Sequence, residues 1–148
     1  MEYIRICDKN HILNLLKDFS SVFPHLKEKI TSLDEYAQKL SEYSYVYVAK
    51  EDGLIVGILV FYANDKDNKT AYISLMGVQK GYERMGIGKK LLEFCEKKSS
   101  ECEMYVVKLE VDEDNINAIK FYQKNGYALL DKTHRGSFYM QKGLSYIY

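Results

Sequence analysis

The chain has 148 residues, the length of one domain on a prior of about 100–200 residues per domain, and 47% of them are apolar and 28% charged. Lys plus Arg and Asp plus Glu each total 21, so the formal net charge is zero, which argues against a dedicated nucleic-acid or anionic-membrane binder and its basic excess. No apolar run approaches the roughly 18 residues of a membrane span. The opening MEYIRICDKN is too charged for a signal peptide. Cys7, Cys95 and Cys102, odd in number and without CxxC spacing, fit a reducing cytoplasm rather than a disulfide scaffold. With no repeat, low-complexity tract or linker composition in view, a single domain over residues 1–148 is expected.

In chain order, Tyr3 to Cys7 alternates weakly and reads as a short strand. Ile12, Leu15, Leu16 and Phe19 recur at i, i+3, i+4, i+7, one face of a helix. A loop is expected around Pro24. Leu33, Tyr36, Ala37 and Leu40 repeat the helical spacing, and Ser32 with Glu35 is a capping-box start. The period then becomes two. Tyr45 to Ala49 and Leu54 to Tyr62 read as strands joined by the turn signal Asp52-Gly53. Asn64 to Lys69 is a polar loop and Thr70 to Val78 a further strand. A helix follows a glycine-bearing loop, with Ile87, Leu91, Phe94 and Cys95 on one face. Met104 to Val111 is a strand and Asn115 to Asn125 a short helix, ended by Gly126, the residue type suited to a left-handed C′ position. Tyr127 to Lys132 and Ser137 to Lys142 are strands around His134-Arg135-Gly136. Consecutive strands early in the chain predict hairpins, and the helix between the strands at 70–78 and 104–111 predicts a parallel crossover. The fold class is therefore α/β of the α+β type, a mixed, mostly antiparallel sheet with helices packed on it.

Two stretches carry chemistry. The first is Val78-Gln-Lys-Gly81-Tyr-Glu83-Arg84-Met85-Gly86-Ile87-Gly88-Lys89-Lys90, a strand leading through a glycine loop into a helix. Glycines there let backbone N–H groups approach a ligand closely, and the helix start leaves its first donors unpaired at the positive end of its dipole. That combination suits phosphate. A Walker A loop begun at Gly81 needs Lys at 87 and meets Ile87. A dinucleotide fingerprint begun at Gly86 needs a small residue at 91 and meets Leu91. Taken alone, Gly-x-Gly after a strand equally fits a tight turn with no ligand.

The second stretch is Leu109-Glu110-Val-Asp112-Glu113-Asp114-Asn115-Ile-Asn-Ala118-Ile-Lys-Phe-Tyr122-Gln-Lys-Asn-Gly126-Tyr127. A strand ends, an Asn opens a helix, and Ala118, Ile119 and Tyr122 share its face. Together the two stretches resemble the GNAT superfamily of N-acetyltransferases. Its first motif, Gln/Arg-x-x-Gly-x-Gly/Ala with Val five residues earlier, is matched by Val78, Gly86 and Gly88. Its second, Asn-x-x-Ala-x-x-x-Tyr-x-x-x-Gly-Phe after a strand, is matched by Asn115, Ala118, Tyr122 and Gly126, with Tyr127 for Phe. Glu83 departs from the first motif. A carboxylate facing a pyrophosphate costs about 1 kcal/mol for a water-exposed pair at ~4 Å and more when desolvated. Glu83 is therefore expected to turn outward, leaving backbone N–H groups and Arg84 to the anion.

The resemblance implies that an acyl-CoA, most often acetyl-CoA, binds where the parallel strands 70–78 and 104–111 splay apart, and that helices cover both faces of the sheet. It places the pyrophosphate on Arg84, Met85, Gly86, Ile87, Gly88 and Lys89, and the pantetheine along the backbone of Met76, Gly77 and Val78, with Asn115 as a polar contact to that arm. It implies direct attack by the acceptor amine, with Tyr122 as the acid that protonates the departing thiolate. Glu110 in its Leu-Glu-Val context is the candidate base, as in members resembling protein N-terminal acetyltransferases. A carboxylate paired with Lys108 is the alternative for Glu110, and Ser74 is a candidate to order a relaying water.

No metal is expected, since His11, His25 and His134 lack zinc-site spacing. Cys95 reads as a buried thiol and Tyr43, Tyr45 and Tyr47 as packing residues. The acidic run Asp112, Glu113 and Asp114 either attracts a cationic acceptor or is a solvated loop end. The apolar tail Leu144 to Tyr148 packs back or meets a second copy in a homodimer. The function expected is a cytoplasmic acyl-CoA-dependent N-acyltransferase acting on a primary amine of a small molecule. The alternatives are a protein α-amine acetyltransferase, an O-acyl or longer-chain acyl transfer, and a non-catalytic acyl-CoA-binding module. Acceptor choice is assigned to the variable segments at roughly 19–31 and 131–137.

Overall fold

Alternation with period two in residues 45–62 decides where the first core lies, because each strand must turn one set of side chains to each face. The computed structural model describes residues 1–20, 22 and 32–144. These form β1 (Glu2–Arg5), α1 (Lys9–Asp18), α2 (Leu33–Tyr43), β2 (Tyr45–Glu51), β3 (Leu54–Asp65), β4 (Thr70–Val78), α3 (Ile87–Glu101), β5 (Val106–Asp112), α4 (Ile116–Lys124), β6 (Ala128–Lys132) and β7 (Ser137–Gly143). The seven strands make one sheet in the order β1-β2-β3-β4-β5-β7-β6, with β4–β5 parallel and the ladders β1–β2, β2–β3, β5–β7 and β6–β7 antiparallel. The mixed, mostly antiparallel sheet read from the sequence is what forms. The loop expected at Pro24, with His25, and the tail from Ser145 lie outside the described residues.

The chain divides into two compact units, one of Met1–Tyr62 with Ser74–Cys95, the other of Ala63–Ile73 with the residues from Glu96 on. In the first, Val46, Val48, Ile58 and Val60 turn one face of β2 and β3 toward Ile12, Leu15, Leu16 and Phe19 of the α1 segment and toward Ala37 and Leu40 of α2. Burying each such large side chain is worth about 1.5–3 kcal/mol. Asp8 caps α1 by accepting the His11 N–H at 3.0 Å, and Ser32 caps α2 by accepting the Glu35 N–H at 3.2 Å. The other face carries aromatics. Tyr45 and Tyr47 stack on Phe61 with centroids 5.2 and 6.1 Å apart, and Tyr47 reaches Phe94 of α3 at 5.4 Å. Helices thus cover both faces of this unit, and the two tyrosines pack as expected. Asp52 and Gly53, with φ of 49° and 79°, make the hairpin turn of the type I′ kind that Asp-Gly signals.

Gly57 sits mid-strand in β3. A Cβ there would lie 2.9 Å from Ile87 Cγ2 and 3.3 Å from Leu91 Cδ1, so the missing side chain is the notch into which the first turn of α3 settles. A lone Gly inside a strand pattern is the sequence signal of such an approach.

In the second unit, β5 pairs in parallel with β4 from Thr70–Val106 to Tyr72–Lys108 and antiparallel with β7 along its full length. Several boundaries differ from expectation, β1 among them, which runs Glu2–Arg5 rather than Tyr3 to Cys7. β3 extends to Asp65 because its carboxylate closes the next turn, accepting the Asn68 backbone N–H and side-chain amide at 3.1 Å each. The strand expected from Met104 begins only at Val106. Glu103, at φ 65°, ends α3 in the left-handed conformation while its N–H donates to Ser100 and that of Met104 to Ser99. Those are the paired bonds of a Schellman cap, so Met104 and Tyr105 belong to the exit from the helix. α4 ends in the same manner with Gly126 at φ 95°, and the bonds Gly126 N–H to Gln123 and Tyr127 N–H to Tyr122. Tyr127 is thereby kept out of the strand expected to begin with it.

Gly57→Val should overpack the α3 notch and cost about 1–3 kcal/mol of stability. Urea unfolding midpoints at unchanged m-value would measure it.

Candidate active site

In the first unit, β4 delivers Met76, Gly77 and Val78, all half-buried, to a loop whose backbone is bent by three left-handed residues, Gly81 (φ 95°), Arg84 (φ 68°) and Gly86 (φ 78°). The loop is tied back at Gln79, whose N–H donates to the Val56 carbonyl of β3 at 2.8 Å. Lys90 N–H donates to the Gly86 carbonyl at 3.0 Å, making Gly86 the residue from which α3 starts. The N–H groups of Ile87, Gly88 and Lys89 precede that first intrahelical bond and have no acceptor within the helix. Ile87 is 2% exposed, its side chain seated over Gly57, so the turn is anchored from below by an apolar contact. Arg84, Met85, Gly86 and Lys89 are exposed, and no acid stands in the first turn of α3. A Cβ on Gly86 would meet nothing within 4 Å, so glycine is required there for its backbone angle rather than for space.

Glu83 is exposed, as expected, and its carboxylate is engaged by the loop itself. It accepts the Gly81 N–H at 2.9 Å. The hydrogen bonds from the Gly81 and Glu83 N–H groups hold this carboxyl below the usual range, with Lys80 and Arg84 adding to the effect. The carboxylate at the departing motif position therefore serves as a brace of the turn. Ser74, on β4, lies 3.2 Å from the Tyr36 hydroxyl of α2. Burial raises the pKa of Tyr36 and pushes that of Tyr62 up to about 12, where Tyr36 adds to the shift. Ser74 is thus part of a tyrosine cluster.

In the second unit, α4 places Tyr122 with 9% exposure against Phe121 and Tyr127, the rings edge-to-face at centroid separations of 5.3 and 5.7 Å. Tyr127 donates to Glu96 at 3.0 Å, and Lys142 binds the other oxygen of that carboxylate at 2.9 Å. Asn115 is the N-cap of α4, its Oδ1 accepting the Ala118 N–H at 3.2 Å. The motif asparagine therefore has a structural role in the fold beside any contact to a ligand.

Glu110 projects from β5 on the face opposite Leu109 and Val111, and 18% of its side chain is exposed. Its Oε2 accepts the Ser137 hydroxyl at 2.9 Å, and its Oε1 lies 3.7 Å from Nη2 of Arg135. Lys108, the partner considered from the sequence, instead places its Nζ 4.2 Å over the Tyr139 ring, so the pairing of Glu110 with Lys108 is replaced by Ser137 and Arg135. Tyr72 shares this region. Burial raises its pKa, Glu110 and Tyr139 add to that, and Arg135 opposes it. A cleft of about 570 Å³ opens among Asp112, Glu113, Asp114, Asn115, Arg135 and Gly136. Within the acidic run Glu113 is bound by Lys132 at 2.6 Å. Nothing in the sequence pairs Ser137 or Arg135 with Glu110, because a turn of small and polar residues carries no periodicity. Their pairing with Glu110 follows only from the β5–β7 register.

A model of the acetyltransferase (GNAT) family matches residues 10–127. The chain is 36% identical over 77 residues to the uncharacterized protein YdhI of Bacillus subtilis (strain 168), covering 52% of this chain and 45% of that one. It is 34% identical over 88 residues to the uncharacterized N-acetyltransferase in the pepI 3′ region of Lactobacillus delbrueckii subsp. lactis, covering 56% and 51%. The chain thus spans about half the length of the curated relatives it matches. Among solved structures, the PaiA N-acetyltransferase of Thermoplasma acidophilum in complex with coenzyme A superposes with a TM-score of 0.74 at 20% identity, over 97% of this chain and 99% of that one, a likeness of fold. No helix among the described residues is long and apolar enough to cross a membrane.

The bracing of the loop by Glu83 has a signed pH dependence. A carboxyl held below its unfolded value contributes stability that is complete above the unfolded value and disappears as pH falls through the folded one. Urea midpoints of the wild type and Glu83→Ala should therefore differ at neutral pH and converge on acidification below the usual carboxylate range.

Proposed function

The chain belongs to the acetyltransferase (GNAT) family, and from that premise we propose that it is an acyl-CoA-dependent N-acyltransferase that moves acetyl from acetyl-CoA to a primary amine by direct attack. The observation that carries this reading is the turn from Glu83 to Gly88. It combines a left-handed Gly86, helix-start N–H groups without an acceptor in the helix, exposed Arg84 and Lys89, and a motif-position carboxylate that accepts the Gly81 N–H. Those features fit a diphosphate, whose negative oxygens need several donors and no facing acid.

Bound acetyl-CoA supplies an activated acyl group and a thiolate leaving group. The residues of this chain supply the rest. Gly86, Ile87, Gly88 and Lys89 offer backbone N–H groups to the diphosphate, with Met85 and the Arg84 guanidinium beside it. The strand backbone of Met76, Gly77 and Val78 pairs with the amides of the pantetheine arm, and Asn115 keeps its Nδ2 for a carbonyl of that arm. An alkylammonium with a pKa near 10.4 is almost wholly protonated at neutral pH and must lose a proton before it attacks. Glu110 accepts it, and Tyr122 donates its phenolic proton to the departing sulfur, regaining one from the attacking nitrogen through solvent. General acid catalysis of this sort is worth about 10²–10⁴-fold.

Thiol release from acetyl-CoA against a panel of primary amines and peptide N-termini tests the activity. Coenzyme binding with no turnover on any acceptor would instead support a non-catalytic module. Tyr122→Phe should lower kcat by about 10²-fold or more while leaving the Kd for coenzyme A within a few-fold. Gly86→Val should act oppositely, weakening coenzyme binding measured by calorimetry.

A further inference from the structure

Glu110 is gripped from one side by the β6–β7 turn. The Arg135 backbone N–H can only donate, and it does so to Thr133 Oγ1 at 3.1 Å. The Glu110 carboxylate can only accept, and its Oε2 takes the Ser137 hydroxyl proton at 2.9 Å. Between them the Thr133 and Ser137 hydroxyls lie 2.6 Å apart. Since the single proton of Ser137 is committed to Glu110, the Thr133 hydroxyl must donate to Ser137. The direction of the whole chain is thereby forced: Arg135 N–H to Thr133, Thr133 to Ser137, Ser137 to Glu110 Oε2. Ser137 is 1% exposed, so water does not compete for it. The turn is itself pinned by Thr133 N–H on the Ser137 carbonyl at 2.7 Å and Glu113 N–H on the Gly136 carbonyl at 3.1 Å.

We infer that Thr133 and Ser137 are positioning residues that aim Glu110, reserving Oε2 as a hydrogen-bond acceptor so that Oε1 is the oxygen that takes the proton of the acceptor amine. A proton placed on Oε2 would reverse the chain. Ser137 would then donate to Thr133, whose hydroxyl proton would have to find a new acceptor, because the Arg135 N–H cannot accept it. The chain is polarised along its length, so each donor strengthens the next. Among the described residues Oε1 has no such hydroxyl donor and faces the guanidinium of Arg135, whose side chain is 61% exposed. This inference rests on the reading of Glu110 as base.

The test uses the whole ¹³C-labelled chain, with the Glu110 side-chain carboxyl resonance assigned by its loss in Glu110→Gln. Ser137→Ala and Thr133→Val should each displace that resonance at neutral pH, and Thr133→Ser, which keeps the hydroxyl, should leave it in place. In thiol release from acetyl-CoA with a panel of primary amines, Ser137→Ala should lower kcat by about 10- to 100-fold with KM for acetyl-CoA within twofold. Added to Glu110→Gln, it should cost nothing more. An unmoved resonance in both Ser137→Ala and Thr133→Val overturns the inference, as does an equal loss of kcat with and without the Glu110 carboxylate. Should Thr133→Val fail to fold, Ser137→Ala against Thr133→Ser carries the comparison. Full turnover in Glu110→Gln overturns the base assignment and any catalytic use of the chain, and a displaced resonance in that case locates the fault in the base rather than in the hydroxyls.

Discussion

Ile87 resting over the bare backbone of Gly57 is the contact on which the shape of the first unit's glycine loop depends. Without a side chain at 57, the leading turn of α3 descends onto β3, and the loop before it must bend sharply to reach that point. The bend is made by residues of positive φ, at 81, 84 and 86. Two are glycines, and the third, Arg84, accepts a conformation that costs an L-residue about 1–2 kcal/mol. An apolar contact on the underside thus enforces, on the exposed side, a backbone that presents donors. Packing on one side and exposed donors on the other are two faces of one turn.

Much of this was legible in residue types. Ile12, Leu15, Leu16 and Phe19 gave α1 and its buried face, and Ser32 its cap on α2. Asp52-Gly53 marked the hairpin turn. Gly126 announced the end of α4, because glycine is the residue whose backbone cost at that angle is least. Glu103 performs the same operation at the end of α3 and gave no sign of it, since nothing about glutamate advertises a left-handed angle. The strand expected from Met104 was therefore started two residues early. The polar Asn64 and Asp65 were read as loop for the same sort of reason. Their place in β3 is decided by a side-chain clasp on Asn68, an interaction invisible to periodicity.

The candidate site divides along a similar line. Gly86, Gly88, Asn115 and Tyr122 could be read because a family pattern fixes their spacing. For Glu110 the residue order offers a base or, as the alternative, a carboxylate paired with Lys108. Strand phase put it beside Lys108, yet the register with β7 sets Tyr139 opposite it and brings the hydroxyl of Ser137 and the guanidinium of Arg135 to its two oxygens. Long-range register is the information that one-dimensional reading lacks most, and here it brings Ser137 and Arg135 to the carboxylate.

Glu103 has a practical side for anyone wishing to harden the scaffold. It occupies, at φ 65°, a conformation that natural chains usually give to glycine, at a helix exit held by the backbone bonds of Glu103 N–H to Ser100 and Met104 N–H to Ser99. The side chain is exposed and the printed bonds of the exit use the backbone, so the residue is spare capacity in the protein engineer's sense. The fold tolerates a strained tenant there, and thermotolerance can be raised at this address without disturbing a single group assigned to catalysis.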